Sequence, residues 1–184
     1  MKFELSDEEK AALLATARES IASRLERRAP AWPSAAEAVD APCGAFVTLR
    51  ERGSLRGCIG RMTSTSPLYE TIREMAAAAA FEDPRFPQLS PDELPHVDIE
   101  ITVLSPLRKV ESVSEIEVGR HGIYITKGWH SGVLLPQVAT EQGWSRDTFV
   151  EQTCYKAGLP PDAWKSPDAI IQIFEGLVFG ERMD

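Results

Sequence analysis

Two β-rich runs separated by five polar residues constrain this chain more than any other feature. Ala45-Phe46-Val47-Thr48-Leu49 is followed by Arg50-Glu51-Arg52-Gly53-Ser54, and a second extended stretch begins at Leu55. A short, glycine-bearing polar link between such runs predicts a hairpin, and so antiparallel pairing. Further along, helical and strand patterns do not alternate as βαβ units and hairpin-type links recur. The expected class is therefore α+β, a mainly antiparallel sheet flanked by helices, with a doubly wound parallel sheet as the alternative.

Local signals place the other elements. Ser6 with Glu9 reads as a capping box, and Leu14, Ala17, Ile21 and Leu25 recur at helical steps, predicting a helix over about residues 7 to 28. Pro30 and Pro33 stop it, and residues 29 to 42 read as an irregular connection with a helical turn near Ala35 to Val39. Ser66 is expected to cap a second helix with Pro67 at its first position, burying Leu68, Ile72, Met75, Ala76 and Ala79. Four prolines, Pro84, Pro87, Pro91 and Pro95, make a loop of residues 82 to 96. Strands follow at 97 to 104, 122 to 126 and 133 to 135, with a short one between 108 and 120. Ser145 caps a helix ending at Gly158, and residues 170 to 179 form a last apolar strand.

The size, 184 residues, suits one domain or two tightly joined lobes, and 43% hydrophobic with 26% charged residues is ordinary globular composition. Net charge is −8, so the average field repels phosphate backbones and anionic membranes, and nucleic acid is not an expected partner. Arg50, Arg52, Arg56 and Arg61 gather locally, which suits a small anionic ligand. No apolar run approaches the ~20 residues of a membrane span, and the polar, acidic start from Met1 to Lys10 does not read as a secretory signal. Cys43, Cys58 and Cys154 are odd in number and widely spaced, which points to reduced thiols and a cytoplasmic location.

Leu55-Arg56-Gly57-Cys58-Ile59-Gly60 carries the main chemical signal. Two glycines inside a strand pattern weaken it unless backbone must bulge or approach something closely. A guanidinium lowers the pKa of a nearby thiol, and Arg56 and Cys58 share a face of a regular strand, which makes Cys58 a candidate nucleophile or redox thiol. Against this stands a plainer account, in which Cys58 is a small buried hydrophobe and the glycines relieve crowding against a helix.

The hexapeptide, following the Gly44 to Leu49 run, resembles the signature of the AMMECR domain family, also called AmmeMemoRadiSam system protein A. The resemblance continues through Asp83-Pro84-Arg85-Phe86, the 97 to 104 strand, His121-Gly122, Leu134-Leu135-Pro136-Gln137-Val138 and Cys154-Tyr155-Lys156-Ala157-Gly158-Leu159. It covers residues 14 to 179 in one order, and the hexapeptide is its most specific part. It implies a compact two-lobed α+β fold and, in prokaryotes, an association with a Memo-like protein and a radical S-adenosylmethionine protein. It implies no particular reaction.

Other candidates are thinner. His121 is the leading base for Cys58, ahead of His96 and His130, and no histidine or cysteine pair has metal-ligand spacing. Arg85 and Phe86 sit in the proline loop, where they either present an arginine and a ring to a ligand or anchor the loop, with Arg85 paired to Asp83 or Glu82. Gln137 either orients a ligand or satisfies backbone groups. The chain has no GxGxxG, Walker loop or CxxxCxxC cluster, so no cofactor is expected. Two functions follow: a binding module with a cleft built on Arg56, Gly57 and Gly60, or an enzyme using Cys58 on a small anionic substrate.

Overall fold

The computed structural model describes residues 4–182, so Met1 to Phe3, part of the N-terminal stretch read above, lie outside it. The chain divides into two compact units, Met1–Leu104 with Leu177–Asp184, and Ser105–Gly176.

The first unit opens with α1 (Asp7–Leu25), whose Ser6–Glu9 capping box is formed in full. Its apolar stripe, Leu13, Ala17 and Ile21, is completely buried. The hairpin follows as β1 (Gly44–Glu51) and β2 (Ser54–Arg61), and β3 (Val97–Leu104) pairs antiparallel with the other side of β1. Strand order here is β2-β1-β3, so β2 is an edge strand. Between β2 and β3 runs α2 (Leu68–Phe81), which begins one residue later than the sequence reading placed it. Pro67 is itself the cap, and its carbonyl accepts from Glu70 and Thr71. Ile72, Met75, Ala76 and Ala79 of α2 pack with α1 and with Val47, Leu49, Ile99 and Ile101 in one core.

The second unit contains β4 (Arg108–Lys109), β5 (His121–Lys127), β6 (His130–Leu134) and most of β7 (Ile170–Gly180), with β5 paired antiparallel to both β6 and β7. All observed strand pairs are antiparallel, and the class is α+β as expected. Helix α4 (Arg146–Lys156) has Ser145 as its cap, and Gly158 beyond it is left-handed at φ +74°. Phe149, Val150 and Cys154 of α4 form this unit's core with Ile123, Ile125, Ile171 and Ile173. One helix went unread in the sequence, α3 (Pro136–Gln142), begun by proline and ended by left-handed Gly143. At seven residues it is too short for periodicity to reveal, although its two end signals were present.

Candidate functional site

The hexapeptide lies on β2 with a break in register that alternation alone did not predict. Leu49 faces Gly57 and Arg50 faces Leu55, so Arg56 is the extra residue of a β-bulge. A bulge re-aims the side chains around it, so the simple alternation that put Arg56 and Cys58 on one strand face does not carry through Arg56. Gly57 lies against α2: a Cβ there would sit 2.2 Å from the Ala79 carbonyl oxygen. A Cβ on Gly60 would meet the Phe46 ring at 2.3 Å and the Ala45 carbonyl oxygen at 2.6 Å. Close packing accounts for both glycines.

Arg56 is buried, and its guanidinium is engaged by a carboxylate rather than by the thiol. Its Nε and Nη2 donate to the two carboxylate oxygens of Glu93 at 2.8 and 3.2 Å, while Nη1 is buried without an acceptor among the described residues. Glu93 also accepts from the Ser90 amide at 2.8 Å. This bidentate pair, first among its causes, holds the Glu93 carboxyl down to about 2. The positive patch expected from four arginines is reduced, because three of them meet acids: Arg50 faces Glu100 at 3.9 Å, Arg56 pairs with Glu93 and Arg61 with Glu74 at 2.7 Å. Acids distant in sequence neutralise most of what looked basic in one stretch.

Cys58 is half-buried beside three groups. The Thr48 hydroxyl, directly across the ladder, lies 3.2 Å from its Sγ. Its backbone is closed by the proline loop: the amide donates to Asp83 Oδ2 at 2.9 Å, and the carbonyl accepts from Arg85 Nη2 at 3.3 Å. Asp83 and Arg85 thus act together as a substitute for a neighbouring strand on an exposed sheet edge. Asp83 is almost wholly buried and accepts further bonds from the Arg85 amide, Nε and Nη2 at 2.8 to 3.1 Å. The Arg85 guanidinium, followed by the Cys58 amide, holds the Asp83 carboxyl well below the usual range. The Arg56 and Arg85 guanidiniums both lie over the Phe86 ring, at 5.9 and 5.5 Å from its centre. Leu89 buries its side chain and donates its amide to the Ala80 carbonyl, so the loop of residues 82 to 96 is an ordered one.

The remaining candidates are placed differently. His121 and Gln137 belong to the second unit. His121 Nδ1 accepts from the Glu117 amide at 3.0 Å, and burial, followed by the charge of Arg120, lowers its pKa, so the imidazole is neutral at pH 7. Gln137 is exposed on the first turn of α3, and its carbonyl accepts from Thr140. Cys43, Cys58 and Cys154 are free thiols, and burial raises the pKa of Cys43 and Cys154. Three surface depressions of about 380, 390 and 270 Å³ are lined by residues other than Arg56 and Cys58, so the cleft expected on the hexapeptide is not among them. Sequence reasoning missed Thr48, Glu93 and the edge-closing role of Asp83. For Asp83 the signal is present in the sequence, as an acid two residues before Arg85 and within reach of it.

The family model described as AMMECR1 matches residues 14–179. The chain belongs to the AMMECR1 family. A protein of Methanothermobacter thermautotrophicus is 45% identical over 144 residues, 75% of each chain, and one of Methanopyrus kandleri is 47% identical over 148 residues, 76% of this chain and 72% of that one. An uncharacterized protein of Pyrococcus horikoshii, known from its crystal structure, superposes with a TM-score of 0.82 at 36% identity, covering 98% of this chain and 95% of the other. The AMMECR1 match spans the hexapeptide, the proline loop and both units alike. Among the described residues, no helix of this AMMECR1-family chain is long and apolar enough to cross a membrane.

A pH dependence follows from the two depressed carboxyls. A carboxyl whose folded pKa lies below its unfolded value stabilises the fold above the unfolded pKa, and that stability is lost as pH falls through the folded pKa. For Glu93 the interval runs from the ordinary 4.5 down to about 2. Urea midpoints measured from pH 7 to 2.5 should fall below pH 4.5, and the fall should be smaller in Glu93→Gln. Equal acid sensitivity in the two proteins would show that the Arg56–Glu93 pair contributes nothing.

Proposed function

We propose that this AMMECR1-family chain is a cytoplasmic binding module whose recognition surface is built on residues 55–60 and the proline loop, and that it acts with a Memo-like protein and a radical S-adenosylmethionine protein. One observation carries the reading: at Cys58 the sheet edge is closed by Asp83 and Arg85 rather than left free, with Phe86 beside two guanidiniums. Such a surface is rigid before a ligand arrives, which reduces the ordering cost of association. It presents aromatic and arginine groups, the types enriched at binding hot spots. Arg85 offers the accessible charge, since its side chain is 55% exposed whereas that of Arg56 is 8% exposed and bound to Glu93. A small anion or an acidic side chain of a partner suits it.

A second reading has its own support. The Thr48 hydroxyl is placed to donate to the Cys58 sulfur, which orients a half-buried free thiol for nucleophilic or redox use on a small anionic substrate. Two substitutions separate the readings. Under the binding reading, Cys58→Ser retains affinity for the Memo-like and radical S-adenosylmethionine partners within a few-fold, while Arg85→Met weakens it by at least about tenfold through loss of a charge-assisted contact. Affinities in the reverse order, measured by titration calorimetry on variants with checked melting curves, would return Cys58 to the centre of the mechanism. Absence of measurable binding to either partner by the unaltered chain would remove the association.

A further inference from the structure

The end of α1 and the facing side of α2 enclose a groove of about 380 Å³ that none of the residues discussed so far as a site lines. Its walls are Arg24, Arg27, Arg28 and Arg73 with Ser20, Ser23, Pro30, Trp32 and Glu74. Four guanidiniums in one depression are unusual on a chain whose net charge is −8. They are also held in distinct ways.

Arg73 is oriented chiefly by aromatic faces: its guanidinium carbon lies 4.1 Å from the Trp32 ring centre and 4.8 Å from that of Tyr69, while Glu37 takes one Nη at 3.3 Å. Its Nε is buried and has no acceptor among the described residues. Arg28 is fixed by Glu19, at 2.9 Å from Nη2, and by Glu26. Glu19 accepts from the Ala31 amide as well, which pins the segment carrying Pro30 and Trp32. Glu74, the acid among the lining residues, is paired with Arg61. Arg24 and Arg27 have no ion-pair partner among the described residues. Arg27 is moreover left-handed, φ +53°, at the position after the helix cap where glycine is the usual residue. The bonds from Arg28 N to Ser23 O and from Arg27 N to Arg24 O complete that terminus, so the backbone there requires the conformation and gains nothing from an arginine side chain.

We propose that this groove is a binding site for a phosphate monoester of a small organic molecule. Two guanidiniums without counter-charges match the roughly two negative charges that a phosphate monoester carries at neutral pH, and guanidiniums engage phosphate oxygens in paired geometry. The groove volume exceeds that of the phosphate alone and falls in the range of small-molecule sites. Pro30 and Trp32 supply an apolar wall for the ester group.

Titration calorimetry of the full chain with phenyl phosphate, and with benzoate as a monoanion of the same ring, tests this. Phenyl phosphate is expected to bind at one saturable site, and benzoate at least about tenfold more weakly. Arg24→Ala combined with Arg27→Gly should lower phenyl phosphate affinity by at least about tenfold while leaving the melting temperature unchanged or higher, because glycine is favoured at the left-handed position. Cys58→Ser should bind phenyl phosphate as the unaltered chain does. The proposal is overturned by absence of saturable phenyl phosphate binding, by equal affinity for benzoate, by retained affinity in the double variant, or by loss of affinity in Cys58→Ser.

Discussion

Replacing Asp83 with alanine should lower the unfolding free energy by about 2–4 kcal/mol, the range expected when a buried carboxylate that accepts several bonds is removed and a backbone donor loses its acceptor. The carboxylate takes the Cys58 amide and three donors of Arg85, and it is almost fully buried. Arg85 is exposed enough to regain water, so most of the cost falls on the edge of β2 and on the loop rather than on a stranded cation. Asp83→Asn retains one acceptor oxygen and should cost about half as much. Urea unfolding at pH 7 measures both. A loss below about 0.5 kcal/mol in the alanine variant, the size of an ordinary surface change, would mean that the loop does not hold the sheet edge.

A side chain at position 57 should be comparably damaging for a steric reason. The Cβ of Gly57→Ala would stand 2.2 Å from the Ala79 carbonyl oxygen, a backbone atom of α2 that moves only if the helix moves. Overpacking of this kind costs about 1–3 kcal/mol, and the two further methyl carbons of Gly57→Val carry it higher. Gly53 is the informative contrast: a Cβ there meets nothing within 4 Å, so Gly53→Ala reports only the strain of its φ of +84°. Thermal melts of the three variants should rank Gly57→Val lowest. A Gly57→Val protein melting with the unaltered chain would show that α2 does not press on β2 as described.

The candidate site was partly readable beforehand. Arg56, Cys58, Arg85 and Phe86 do come together, because the hairpin and the loop after α2 both lie along β2. What was not readable is who partners whom. Arg56 and Cys58 are two apart in sequence and suggested an activated thiol, yet Arg56 meets Glu93, 37 residues away. The competition between a thiol and a carboxylate for one guanidinium is decided by which is brought within bonding distance, and sequence spacing is silent on that.

The sequence by itself determined the elements whose causes lie within a few residues. The Ser6–Glu9 box, the Ser145 cap, the left-handed Gly158, the strand 97 to 104 and the hairpin around Gly53 each follow from short-range hydrogen bonding, backbone freedom or side-chain period. The tertiary structure alone decided the bulge at Arg56, the closing of the β2 edge by Asp83 and Arg85, and the meeting of Arg73 with Trp32. Each of those depends on a segment separated in sequence being packed against its target by the burial of Ile72, Met75, Leu89 and their neighbours. That burial is non-directional, so it dictates that the segments meet while leaving the pairing of charges to the geometry of the packed chain.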